Sequence, residues 1–167
     1  MRGFREKDVS EMKNKIISDQ CWKNVTCTYV KVTFNSVFRT NASYLCVAEG
    51  GRVIGNGWKD CTFFGAHVSG LCLEADRYSE CVFGNMYLKN NSIWNVKAEG
   101  CNYAGSCWED TTVETCVFKN CNFRNVRFKN SHFKDNRFIN CVFDGAVMEG
   151  CTVYDQEFEG YEVRCVD

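Results

Sequence analysis

Residues 116–140 read CVFKN CNFRN VRFKN SHFKD NRFIN, five blocks of five with a phenylalanine at the centre of each: Phe118, Phe123, Phe128, Phe133 and Phe138. Extended outward, the same frame runs from Cys61 to Cys165 without insertion or deletion. All 21 central residues are apolar or aromatic, from Phe63 through Leu73, Tyr78, Ile93, Trp108 and Met148 to Val163. Only 45% of the chain is hydrophobic, so an unbroken series of this length is not chance. The first residue of each block is mostly small or thiol-bearing, as at Cys61, Ala66, Cys81, Cys101, Ser106, Cys116 and Val126. The last is Gly, Asn or Asp in 17 of the 21 blocks. These types tolerate the left-handed and turn geometries that a sharp corner requires.

A period of five fits neither an α-helix, at about 3.6 residues per turn, nor the two-residue alternation of a long strand. Short fixed periods mark solenoids. Cys61, Cys81, Cys101, Cys121 and Cys141 recur every 20 residues, and so do their neighbours Phe63, Phe83, Tyr103, Phe123 and Phe143. Four blocks therefore make one turn, and residues one turn apart stack about 4.8 Å from each other, as adjacent strands do.

With CNFRN and CVFKN the pattern closely resembles the pentapeptide-repeat family. Its loose consensus, A(D/N)LXX, sets Phe or Leu at the centre and Ala, Cys, Ser or Val two residues earlier. The resemblance is strict over residues 61–165 and less regular back to about Cys27. There Val32-Thr33-Phe34 and Ser36-Val37-Phe38 look like repeats separated by a one-residue slip. The resemblance implies an all-β fold, a right-handed parallel quadrilateral β-helix of about six to seven coils and roughly 30 Å in length. Residues 8–18, DVSEMKNKIIS, place Val9, Met12, Ile16 and Ile17 at helical spacing, which predicts a short amphipathic helix capping the N-terminal end. The expected organisation is a capping segment at 1–20, irregular first coils at 21–60 and the regular β-helix at 61–167. Asp76, Asn136 and Gln156 share a 20-residue column with Asn56, and Asn91 also takes an inward first position, which predicts a polar ladder inside the coil.

A length of 167 residues suits one domain. A net charge of −1 gives no global attraction to nucleic acid or anionic membrane. No apolar run approaches the roughly 20 residues of a membrane span. Met1–Gln20 is charged throughout and has no signal-peptide core, so a cytoplasmic location with reduced thiols is expected. The 13 cysteines are odd in number and follow the five-residue frame, which argues against disulfide staples and zinc ribbons. His67 and His132 lie 65 residues apart, not a multiple of 20, and so belong to different faces. Cys72 and Cys107 take outward positions, while the first-position cysteines point inward as inert thiols. No phosphate loop, carboxylate pair at a cleft or HExxH helix is present, so no catalytic residue, cofactor or metal site is expected, and the chain is not expected to be an enzyme.

Surface charge is the remaining signal. Residues 116–140 hold Lys119, Arg124, Arg127, Lys129, Lys134 and Arg137 against Asp135 alone, a net +5. Residues 141–167 are net −6 and include Glu157, Glu159 and Glu162. These nine bases and acids are the candidate interaction surface, and Tyr161, Val163 and Cys165 are a candidate homodimer end. The best-known functional branch of the resembled family comprises quinolone-resistance proteins that imitate duplex DNA and bind DNA gyrase. This chain departs from that branch: it is nearly neutral, has a basic belt, and lacks the projecting loops and C-terminal dimer helix. The leading expectation is a non-enzymatic module, inhibitor or effector that binds a protein partner. A DNA mimic acting on gyrase and a structural repeat domain of a larger assembly are the alternatives.

Overall fold

The computed structural model describes residues 55–160 in full and, within residues 11–54, the backbone of the strands only. Every fifth residue from Gly55 to Gly160 has a positive φ, between 48° and 72°. Each is a corner. Glycine, asparagine and aspartate fill most corners because they bear the left-handed conformation at least cost. Ala75, Glu80 and Thr115 adopt it as well, at φ 55°, 53° and 55°. On three of the four sides the chain between corners is extended for three residues, and on the remaining one a single bridged residue leads into a turn.

The result is a parallel β-solenoid with four faces that makes about five turns over residues 55–160. The first face carries the cysteine column and the rings of Phe63, Phe83, Tyr103, Phe123 and Phe143, joined by parallel bridges Thr62↔Val82, Val82↔Asn102, Asn102↔Asn122 and Asn122↔Val142. The second face is built from Tyr87–Lys89, Cys107–Glu109, Arg127–Lys129 and Val147–Glu149. The third holds Ser92–Trp94, Thr112–Glu114, His132–Lys134 and Thr152–Tyr154, and the strand His67–Glu74 turns the corner between second and third. The fourth stacks Gly57–Lys59, Arg77–Ser79, Lys97–Glu99, Val117–Lys119, Arg137–Ile139 and Glu157–Glu159. Register holds at one turn of 20 residues throughout, as in Arg77↔Lys97 and Val113↔Phe133.

Central side chains point inward and fill the rod. Phe83, Tyr103 and Phe123 stack nearly parallel, with ring centroids 4.9 Å apart at each step. Phe118 and Phe138 form a second stack at 5.2 Å. Rings on adjacent faces meet edge-on, for example Phe118 and Phe123 at 5.3 Å. Both geometries suit the aromatic quadrupole.

First-position side chains serve the backbone. Asn136 Oδ1 accepts the N–H of Cys116, 20 residues earlier, at 2.9 Å, and its Nδ2 donates to the carbonyl of Val113, 23 residues earlier, at 2.9 Å. Asn91 does the same to Leu71 and Val68 at 2.9 and 3.0 Å. Ser131 does so to Thr111 and Trp108, and Cys116 to Val96 and Ile93. Ala66, Val96 and Val126 give the first position apolar bulk, but where it is polar it calls for a small group able both to accept and to donate, because the corner leaves one N–H and one carbonyl without a ladder partner. Cysteine, serine and asparagine all qualify. The expected polar ladder through Asn56, Asp76, Asn136 and Gln156 is broken in the middle by Val96 and Cys116. It forms two pairs, Asn56 with Asp76 and Asn136 with Gln156.

Two expectations for the N-terminal part change. Within the predicted helix of residues 8–18, the described backbone runs as strands Glu11–Lys13 and Ile16–Ser18, in register with Thr28–Thr33 and Ser36–Phe38. The rest of that segment lies outside the described residues. Met12, Ile17 and Trp22 are five apart, so the coil period competes with the helical spacing, and a following coil is there to pair with it. The slip is also displaced. Val32 and Val37 keep the five-residue frame, and Cys21 pairs with Asn41 at 20, whereas Thr28 pairs with Glu49 at 21. The extra residue falls between Ser43 and Glu49.

Candidate functional site

The basic belt does not form one patch. Arg124 stands on the first face, Arg127 and Lys129 on the second, Lys134 on the third, and Lys119 and Arg137 on the fourth. Because residues one turn apart are neighbours, most of these bases meet an acid from the next coil. Arg124 pairs with Asp144 at 3.1 Å, Lys119 with Glu99 at 2.9 Å and Lys134 with Glu114 at 3.4 Å. Arg137 contacts Glu157 at 2.7 Å and also Glu159. The hydrogen bond to Glu159 holds Arg137 above the ordinary guanidinium range, and the bond to Glu114 raises Lys134 likewise. The belt and the acidic end thus partly neutralise each other along the axis. Glu162, Tyr161, Val163 and Cys165 lie outside the described residues.

The two histidines stand apart. His67, on the second face, lies 5.6 Å from the ring of Tyr87, and His132, on the third, shares a 2.6 Å hydrogen bond between Nδ1 and Thr152 Oγ1. Cys107 is half-buried on the second face, and burial raises its thiol above the ordinary value, with Glu109 adding to the effect. Burial pushes Cys116 up to about 12. Cys81 and Cys101 reach about 12 as well, each chiefly through its hydrogen bond to the next cysteine up the column and then through burial. Thiols this reluctant to ionise are poor nucleophiles and poor metal ligands. Among the described residues, no group of three or more histidine, cysteine or acidic side chains is placed to hold a metal ion.

One surface feature joins charges that lie far apart along the sequence. On the fourth face two outward rows run along the axis, Gly57, Arg77, Lys97 and Val117 in one and Lys59, Ser79, Glu99 and Lys119 in the other. Between them lies a shallow groove of about 430 Å³. Its charged lining is Lys59, Arg77, Lys97 and Lys119 against Glu99. Along the sequence these residues are scattered over some sixty positions. Sorting the outward residues at intervals of 20 would have brought them together.

The family model described as the pentapeptide repeat region matches residues 111–167. This stretch is a pentapeptide-repeat region, and the same five-residue frame runs back in the structure to Gly55. Its backbone is similar to the solved structure of a trypsin-treated variant of QnrB1, a plasmid-mediated fluoroquinolone resistance protein. The TM-score is 0.64 and the identity 16%, over 93% of this chain and 89% of that one. At that identity the likeness is one of fold. It is also similar, at a TM-score of 0.33 and 8% identity over 85% of this chain and 78% of that one, to HetL, a pentapeptide repeat protein involved in heterocyst differentiation regulation from the cyanobacterium Nostoc sp. strain PCC 7120. No curated protein matches the chain.

Proposed function

We propose that this chain is a pentapeptide-repeat protein, a non-enzymatic, cytoplasmic protein-binding module whose role is that of an inhibitor or effector. The supporting observation is the unbroken 20-residue register from Trp58 to Phe158. It stations the outward side chains on flat faces in rows about 4.8 Å apart. A surface so preorganised loses little conformational freedom on docking, which favours recognition of a partner of matching shape. Homodimerisation through Tyr161, Val163 and Cys165 belongs to the same proposal, and sedimentation of the wild-type chain beside a Tyr161→Asp variant tests it.

The likeness in fold to QnrB1 favours a second reading, a DNA mimic that binds gyrase or another DNA-binding enzyme. Against it, Asp144, Glu157 and Glu159 are engaged by Arg124 and Arg137, which weakens the negative field a mimic needs. Capture from a bacterial lysate on the immobilised protein, eluted with a salt series and identified by mass spectrometry, tests both readings. A protein partner that withstands high salt supports the module. Gyrase or topoisomerase subunits released by salt, and lost with Glu157→Lys/Glu159→Lys, support the mimic. Capture of no protein overturns both.

A further inference from the structure

The rod follows a rule of axial neutralisation from which one stretch departs. Lys89, Lys119, Arg124, Lys134 and Arg137 each meet a carboxylate from an adjacent coil. Lys59, Arg77 and Lys97, on three successive rungs of the fourth face, make no ion pair among the described residues, and all three are exposed. Arg127 and Lys129 on the second face are also without an ion pair, but they occupy one rung, between Glu109 and Glu149. Two corner acids lie along the same edge of the face, Asp60 and Glu80; Glu80 lays its carboxylate over Gly100, and neither is part of the groove lining. Unneutralised positive charge and the concavity therefore coincide, with Gly57 and Ser79 leaving space between the rows.

We propose that this groove docks an acidic, extended segment of a partner protein. The inference rests on the protein-binding reading above and supplies the chemistry of the partner. The four cations span three coil steps, from Lys59 to Lys119, or about 14 Å, which matches roughly four residues of extended peptide. Aliphatic lysine and arginine stems and Val117 line the groove beneath the charges, so a segment alternating carboxylates with apolar side chains meets both kinds of surface. A nucleic-acid strand fits less well. It carries a charge at every residue, and it would meet Glu99 inside the groove and Glu157 and Glu159 farther along the same face.

Fluorescence anisotropy on the full chain tests the proposal. The probes are a labelled peptide of alternating glutamate and leucine and, for comparison, a labelled single-stranded DNA oligonucleotide. The peptide binds the wild type, and Arg77→Glu/Lys97→Glu raises its Kd about tenfold or more, whereas Arg127→Glu/Lys129→Glu changes it less than about twofold. Lys97→Ala, which introduces no new charge, gives a smaller loss of about threefold in the same direction. Equal weakening by both double variants assigns the binding to general charge and overturns the groove. So does preferential binding of the DNA, or no peptide binding by folded protein. The lysate capture separates this inference from its parent reading. A partner retained equally by wild type and Arg77→Glu/Lys97→Glu sinks the groove alone, while capture by neither sinks both.

Discussion

The backbone N–H of Asn56 donates to Asp76 Oδ1, one coil further on, at 2.6 Å, and Asp76 is wholly out of water. Asn56 Nδ2 adds a second bond at 3.1 Å and Tyr78 OH a third at 3.3 Å, yet Asp76 makes no ion pair among the described residues. At Asn91, Cys116, Ser131 and Asn136 the first-position side chain both accepts and donates, and an ionised aspartate can only accept. Burial raises Asp76 from 3.8 to about 6, against the opposing pull of the Asn56 hydrogen bonds.

A folded-state pKa raised above the unfolded one adds stability that is fully present below about pH 4 and lost as pH rises through about 6. Asp76→Asn restores a side chain that accepts and donates, as Asn136 does, and it removes the charge. The variant should be more stable than wild type by roughly 2–3 kcal/mol at pH 7, with the gap closing below about pH 4. Chemical denaturation of both proteins across pH 4–8 measures this. A constant gap would mean that Asp76 does not titrate in this range.

The corners offer a test of backbone strain. Thr115 holds a φ of 55°, where a β-branched residue is poorly accommodated. Its hydroxyl reaches only the carbonyl of the adjacent Glu114, at 2.8 Å. Thr115→Asn should stabilise the rod by about 1 kcal/mol. Gly105, at φ 70°, presents the reverse case, since an added Cβ would be held in left-handed backbone and would press on the Asn85 side-chain amide. Gly105→Ala should cost about 1–3 kcal/mol. Thermal melts of the two variants should move in opposite directions.

These residues also show what the sequence discloses and what it conceals. The inward centres were legible because burial of one apolar side chain per block is obligatory, whichever residue supplies it. The corners were legible because glycine and asparagine advertise left-handed backbone, and Ala75, Glu80 and Thr115 follow by frame alone. Interior hydrogen bonding was less legible, since Cys, Ser and Asn look unlike as letters but do the same task at the first position. The N-terminal slip escaped because Val32, Phe34, Val37 and Phe38 permit two frames, and only pairing across coils selects one. Charge was the least legible feature. Ion pairs such as Arg124 with Asp144, and the row formed by Arg77 and Lys97, join residues 20 apart that a running window never compares.

Two tryptophans make a controlled comparison. Trp58 Nε1 is buried without a hydrogen-bond partner among the described residues, whereas Trp108 Nε1 donates to Ser106 Oγ at 3.0 Å. Trp58→Phe loses some packing area but also removes an orphan donor, and the two effects offset to within about 1 kcal/mol. Trp108→Phe opens space among Tyr103, Phe118, Phe123 and Phe128 and strands the Ser106 hydroxyl. It should cost about 2 kcal/mol or more. Comparable losses in urea denaturation would show that the unpaired indole is not the liability its environment implies.

Thiol reactivity should follow face and position. Cys61, Cys81, Cys101, Cys116, Cys121 and Cys141 are buried, whereas Cys72 and Cys107 on outer faces and Cys151 in the last coil are half-exposed. Alkylation requires both access and thiolate, and Cys81, Cys101 and Cys116, at about 12, offer neither at neutral pH. Brief iodoacetamide treatment at pH 8, followed by peptide mapping, should modify Cys72 ahead of every interior thiol. Cys107 should follow more slowly, because burial and the nearby Glu109 carboxylate hold its proton on. The six interior thiols should react only in denaturant and together, since each sulfur is reached by breaking the coil that its neighbours share. Early labelling of Cys101 in the native protein would mean that the coils open individually, and the rod could not then act as the rigid scaffold proposed here.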